Sequence, residues 1–486
     1  MKNRIISCWL ILCLMLPTVS GCTPQGDPSI TTQDTTSIVE ETTETEETVL
    51  DPFQLRASVD NGLPDNLSFS GTDITVAVMS DDRYKMDWYS EALTGERIND
   101  LIYQRNLAIS EKMDVNLQVV TDYNDGSSVA TLQTATASGD DTYQIVNFSS
   151  QYVIPVLQQQ ILIDLMETQY LDLDRPWWNQ SIRQNTTMND KLYLVTGEIA
   201  FHYLNGTSCM LFNKSLAEDL LKEDIYDMVF DGRWTVDKLY ALSEQAYVDL
   251  NGDGIGDEGD QWGLVTDWNA ALDAYYIAFD QPITRLENGY PTLCVNTEKM
   301  VNIVEQIYDL YWNNTGVLKH DNPGLIFTSG NSLFINGLIG TYTAYTRDVD
   351  FNYGLLPYPK WEETQASYGA HNRNGYSQYG IPKTCGSIDA SSAVLEYACS
   401  ENYRIIIPEY INTNLKIQYA NDQATAMILD IILNSIGVDF AFYSDIMYIL
   451  REIIRNQQGA NFASYYASKE NTYNSIINKV VRVYAQ

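Results

Sequence analysis

Hydrophobic positions change period repeatedly along the first third of the folded region. Asp73-Ile-Thr-Val-Ala-Val78 alternates and is β-branched, the pattern of a buried strand. A polar loop follows from Ser80 to Gly95. From Glu96 to about Asp114 the period lengthens, and Ile98, Leu101, Ile102 and Ile109 fall on one face of a predicted helix. Val115-Asn-Leu-Gln-Val-Val120 returns to a strand, parallel to the first if the connection is a right-handed crossover. The unit then repeats, with a small-residue helix over Ser128–Ser138 and a strand over Tyr143–Asn147. Such alternation predicts an open α/β sheet. Sheets of this kind bind ligands beyond the carboxyl ends of their strands. That directs attention to the loop at Asp81, the Phe148-Ser149-Ser150 turn and the loops facing them.

Further along, Lys191–Val195 and Gly206–Phe212 read as strands, and Asn213–Lys222 and Thr235–Val248 as helices. Thr235 is suited to an N-cap, although Lys238 stands where a capping box has Glu. Residues 1–21 carry Lys2, Arg4 and a short apolar run from Ile5 to Leu16, the pattern of a signal peptide. The run ends at Val19-Ser20-Gly21-Cys22, small residues before a cysteine, which resembles a bacterial lipobox with Cys22 as the lipidated residue. Residues 23–52 are rich in Thr and Glu and contain no Lys or Arg, as expected of a disordered tether carrying the body off a membrane. Roughly 430 residues remain, enough for two lobes with good cores.

The net charge is −35, and loss of the signal peptide removes two more positive charges. A polyanion would be repelled and no basic stripe is present, so nucleic acid is excluded as a partner. Of seven cysteines, Cys209, Cys294, Cys385 and Cys399 lie in the body at spacings that do not fit a zinc site, and free thiols are expected.

Acidic residues become specific in Asp249-Leu-Asn-Gly-Asp-Gly-Ile-Gly-Asp-Glu-Gly-Asp260. Oxygen side chains fall at positions 1 (Asp249), 3 (Asn251), 5 (Asp253), 9 (Asp257) and 12 (Asp260). Gly254 holds position 6, and Ile255 supplies the carbonyl at position 7. This is the spacing of a twelve-residue calcium loop, with Asp in place of the usual Glu at position 12. A single such loop predicts one structural Ca2+, a clip and not a switch.

The loop sits within a longer pattern. Met210-Leu-Phe212-Asn213-Lys214 and Gly232-Arg-Trp234-Thr235-Val-Asp237-Lys-Leu239 precede it, and Gln261-Trp262-Gly263-Leu264 follows. Phe327-Thr-Ser-Gly330-Asn-Ser-Leu-Phe334 and Asn352-Tyr353-Gly354-Leu-Leu-Pro357-Tyr-Pro359-Lys360 come later. In this order the segments resemble extracellular solute-binding proteins of carbohydrate ABC importers, the maltodextrin-binding type. The resemblance implies a two-lobed, periplasmic-binding-protein-like (type II) α/β fold, two open sheets flanked by helices and joined by a hinge. Lobe 1 would comprise 71–180 and about 355–405, and lobe 2 181–354 and about 406–486, with chain crossings near 180 and 355 and within 405–440. It also implies capture of an oligosaccharide or other polar solute, delivery to ABC permease subunits, and attachment through Cys22 to the outer face of the membrane, as a monomer.

The search for catalytic chemistry is negative. His202, His320 and His371 are scattered, and there is no G-x-S-x-G, H-E-x-x-H or phosphate-binding glycine loop. Aromatic content is the positive signal, with 34 Tyr and 9 Trp. A sugar ring packs its C–H face on an aromatic ring, while its hydroxyls need donors and acceptors at the edges. The stacking candidates are Trp88, Tyr89, Trp178, Tyr203, Trp268, Tyr342, Tyr345 and Tyr376. Asp81, Asp82, Ser149, Glu198 and Arg347 are the candidates for hydroxyl contacts. Trp234 and Trp262 read as core. A glycan-binding surface lipoprotein without a permease, or a secreted hydrolase, would share the composition.

Overall fold

The computed structural model describes residues 52–123, 125–340, 349–373, 375–416, 423–456 and 461–485. Its strands in chain order are β1 (Thr72–Met79), β2 (Val115–Tyr123), β3 (Ile145–Ser149), β4 (Ser208–Asn213), β5 (Trp262–Thr266), a hairpin of β6 (Thr284–Glu287) and β7 (Tyr290–Leu293), and then β8 (Val317–Lys319), β9 (Ser332–Leu338), β10 (Tyr353–Leu356), β11 (Ala370–His371), β12 (Ser377–Gly380) and β13 (Ile436–Gly437). Two main sheets result, ordered β12-β3-β1-β2 and β10-β4-β9-β5-β8. Each is the centre of one lobe.

The first sheet follows from the pattern of its sequence. β1 and β2 pair in parallel from Thr72↔Val115 onward, and β1 and β3 pair in parallel at Val76↔Ile145. Between β1 and β2 runs helix Arg97–Met113. Glu96 caps its start by accepting from the Ile98 and Asn99 amides, and Asp114 ends it in the left-handed region at φ 51°. Ile98, Leu101, Ile102 and Ile109 are all buried, as their spacing requires.

The fourth strand of this sheet comes from far away. β12 pairs antiparallel with β3, Ser377 opposite Ser149. Val195 adds a single antiparallel bridge to Tyr379 and Lys191 one to Met188, so the expected strand over Lys191–Val195 is reduced to two isolated bridges. The chain therefore still belongs to the first sheet at Val195 and reaches the second at Ser208, later than the crossing expected near 180. It returns between Leu356, on β10 of the second sheet, and Ser377, on β12 of the first. At this junction Thr207 bridges Asn372, and β11 pairs with β13.

In the second sheet, helix Val236–Ala246 is capped by Thr235, whose hydroxyl accepts from the Lys238 amide. Its Ser243 is fully buried against two glycines. A Cβ at Gly263 would lie 2.0 Å from the Ser243 carbonyl oxygen, and one at Gly316 would lie 1.8 Å from it. These glycines let helix and sheet approach at backbone distance. Trp234 and Trp262 are core residues. Cys209, Cys294, Cys385 and Cys399 are free thiols.

Candidate functional site

The carboxyl ends of β1, β3 and β5 supply the polar groups at the lobe junction. After β1, Asp81 caps a short helix, Asp82–Lys85, and holds Arg83 through two hydrogen bonds of 2.9 and 2.8 Å. Those contacts bring the Asp81 carboxyl down to about 2. After β3, the Ser150 hydroxyl accepts from the Gly375 amide at 2.7 Å and the Ser150 amide donates to the Tyr376 carbonyl, so residues 375–376 lie along this end of the sheet.

Helix Phe201–Asn205 stands at the same end and presents two different faces. His202 lies among Asp81, Arg83 and Arg373. Burial, followed by the two guanidinium charges, lowers it to about 4 against the pull of Asp81. Arg373 also acts on Asp273, which forms an ion pair with Arg451 and is raised by burial to about 7. From the second sheet, β5 ends at Asp267, Trp268 and Asn269, with Arg455 donating to the Asn269 side chain. A polar seam thus runs from the first lobe to the second.

Tyr203 and Leu204 turn the other way, into a cavity of about 460 Å³. Trp177, Trp178, Asn179 and Glu198 line it from the first lobe. Ile407 lies on a helix packed against that lobe, while Leu433 and Ile436 belong to a helix and strand that contact the second. Asn179 donates to the Tyr203 hydroxyl, whose ring meets Tyr376 edge-on at 5.3 Å. Arg56, from helix Pro52–Ser58, pairs with Glu198 at 2.9 Å, donates to the Tyr403 carbonyl and lies 4.1 Å over the Tyr403 ring. Burial raises the Glu198 carboxyl while Arg56 draws it down. Behind the cavity wall, the buried Glu396 carboxyl group accepts from the indole N–H groups of both Trp177 and Trp178 at 2.9 Å and from the Asp172 amide.

Of the residues chosen from the sequence, Trp178, Glu198 and Tyr203 meet around this cavity, Trp178 and Tyr203 as buried rings of its wall, Asp81 joins the His202 seam, and Trp268 stands at the end of β5, its ring 5.3 Å from Trp312. Others are corrected. Trp88 is fully buried beneath Arg105, because the chain after the Asp82–Lys85 helix turns into the lobe. Tyr89 lies on the outer face beside Tyr103 and Leu117. Asp82 is exposed and pairs with Lys85. Ser149 and Tyr376 are buried, Tyr376 bonded through its hydroxyl to Tyr443. Tyr342, Tyr345, Arg347 and Cys22 lie outside the described residues. The sequence reading missed Arg56, Arg83 and Arg373. Their scarcity was the available signal, since 29 Lys and Arg face 64 Asp and Glu.

The twelve-residue loop folds tightly. Gly252 and Gly254 take φ of 74° and 73°. Asp249 accepts from the Gly252 and Gly254 amides, and the buried Asp260 accepts from Leu250 and Asp257, closing the loop on itself. Among the described residues no group of three or more His, Cys, Asp or Glu side chains is gathered as a metal site. The loop's own donor set, side-chain oxygens with the Ile255 carbonyl, fits a hard cation in kind.

A family model for bacterial extracellular solute-binding proteins matches residues 94–403. The chain belongs to that family. Solved structures share its fold. A cyclo/maltodextrin-binding protein complexed with maltotetraose superposes with a TM-score of 0.54 at 13% identity, over 87% of this chain and 97% of that one. The sugar-binding protein MalE from the phytopathogen Xanthomonas citri gives 0.57 at 12%, over 85% and 100%. The galacto-N-biose/lacto-N-biose I-binding protein of an ABC transporter from Bifidobacterium longum, in complex with lacto-N-biose, gives 0.54 at 10%, over 84% and 98%. No curated protein sequence matches the chain. Family and neighbours are binding proteins, and the described residues contain no helix long and apolar enough to cross a membrane.

Proposed function

We propose that this chain is a lipid-anchored receptor that captures an oligosaccharide between its lobes and delivers it to ABC permease subunits, without catalysing a reaction. The observation that carries the sugar is the cavity at the lobe junction, where the rings of Trp178 and Tyr203 stand beside Asn179 and Glu198. Flat apolar faces beside fixed polar edges suit a ring that is apolar on its face and hydroxylated on its rim. Its volume of about 460 Å³ is within the range of small-ligand sites. The neighbours that hold maltotetraose and lacto-N-biose share the fold and support the same class of ligand. Closure of the lobes about the Thr207–Asn372 junction would complete the contacts, with Trp268 approaching from the second lobe. The signal peptide at 1–21 and lipidation of Cys22 would place the receptor on the outer membrane face, and Ca2+ in the Asp249–Asp260 loop would brace the second lobe.

A thermal-shift screen over a glycan panel that includes maltotetraose and lacto-N-biose tests the reading. A true ligand at 100 times its dissociation constant stabilises the body by about 2.7 kcal/mol. Calorimetry on the best glycan should then show Glu198→Gln binding about tenfold more weakly, through loss of a charge-assisted hydrogen bond, and Trp268→Ala also weakened. A peptide pool that stabilises the protein when no glycan does would sink the sugar assignment. Unchanged affinity in both variants would displace the site.

A further inference from the structure

Three segments bring charged groups to the polar seam, and all three are tied to one buried side chain. Asp87 ends the stretch that begins with Asp81 and Arg83, and it is fully buried. Its Oδ1 accepts the Phe201 amide at 3.0 Å, fixing the start of the five-residue helix that carries His202. Its Oδ2 accepts the Ser377 and Tyr379 hydroxyls, fixing the start of the strand that follows Arg373 and Gly375. Asp87's own backbone is held in turn, since the Arg105 guanidinium donates to its carbonyl at 2.9 Å and to the Asn402 side chain at 2.7 Å.

A helix of five residues has almost no stability of its own and takes its position from outside contacts. We infer that Asp87 is the positioning residue of the binding surface, the common clasp that sets Asp81 and Arg83, His202, and Arg373 at fixed separations. Asp87 itself touches no ligand. It acts by registering three segments that are distant in sequence, so that the short helix that carries Tyr203 into the cavity and His202 into the seam has one preformed position. The inference rests on reading the lobe junction as the binding surface, but the clasp can be measured with no ligand present.

The chain has three histidines, so imidazole resonances can be followed individually by NMR. His202 serves as the internal probe, because burial in this junction, followed by Arg83 and Arg373, depresses its titration and Asp81 opposes them. Asp87→Asn, which keeps the shape but puts an amide donor where the Ser377 and Tyr379 hydroxyls now donate, should raise the His202 midpoint by about one pH unit as the helix loses its fixed, buried seat and the guanidinium groups their fixed distance. The double variant Ser377→Ala with Tyr379→Phe keeps Asp87 and frees only the Arg373 segment, and should raise the midpoint by a smaller amount. It decides the matter should Asp87→Asn fail to fold. A purely structural Asp87 would lower the melting temperature and leave His202 where it was. A folded variant whose His202 midpoint stays within about 0.2 of wild type overturns the inference. Failure of every glycan in the panel would remove the sugar reading and leave this result standing.

Discussion

Glu396 is the sharpest place to test the structure. Its carboxyl is buried and receives two indole N–H groups and a backbone amide, and among the described residues it forms no ion pair. Burial lifts it from an ordinary 4.5 to about 8, against the hydrogen bonds that favour the anion. In the unfolded chain Glu396 gives up its proton near 4.5; in the folded chain it keeps it to about 8. Between those values the folded state binds more protons, so its stability falls as pH rises. The contribution is intact below about 4.5 and fully lost above about 8, and the gap sets an upper limit of about 5 kcal/mol. Asp87 and Asp273, raised by burial to about 7, titrate in the same window. The measurement must therefore be a difference between proteins. Glu396→Gln removes the titration and leaves one indole donor facing an amide donor, a pH-independent cost of about 1–3 kcal/mol. Urea unfolding from pH 5 to 9 should show wild type ahead of the variant at pH 5, with the advantage shrinking by several kcal/mol at pH 9. Parallel pH profiles, or a wild-type advantage that grows with pH, would refute the account of this carboxyl.

Chelator should lower the melting temperature of wild type, and Asp253→Ala should abolish that sensitivity; equal melting with and without chelator removes calcium from the loop. Mass spectrometry of membrane-extracted protein should find diacylglycerol on Cys22 as the first residue, and Cys22→Ser should release the protein into the medium. Gly263→Ala drives a methyl group into the Ser243 carbonyl and should destabilise the second lobe by about 3 kcal/mol in urea unfolding, whereas a cost under about 0.5 kcal/mol would mean the helix can withdraw freely.

Local signals in the sequence were reliable where neighbours in the chain are neighbours in space. The periodicity from Asp73 to Asn147 specified β1, the capped helix behind it, and two parallel pairings. Trp234 and Trp262, each flanking a patterned element, were recognisable as core. Long-range contacts were not legible. Nothing around residue 377 announces that it pairs with Ser149, or around Val195 that it touches Tyr379. The aromatics show the same limit. Trp178 and Trp88 have similar surroundings in sequence, but one lines a cavity and the other lies under Arg105. What separates them is which distant segment covers each ring. The charged members of the site were hidden for a related reason: Arg56 reaches Tyr403 across 347 positions.

That last contact has a geometric consequence. With Arg56 on Tyr403 and Arg404 donating to the Ala57 carbonyl, the point where the acidic segment leaves the body is pinned to the surface of the first lobe. A chain of roughly thirty residues between that point and Cys22 has a contour of about 100 Å. If Cys22 carries the proposed lipid, that contour is the ceiling on how far the pinned face can stand from the membrane. Lengthening or shortening the segment would then move that ceiling without altering any residue of the folded body.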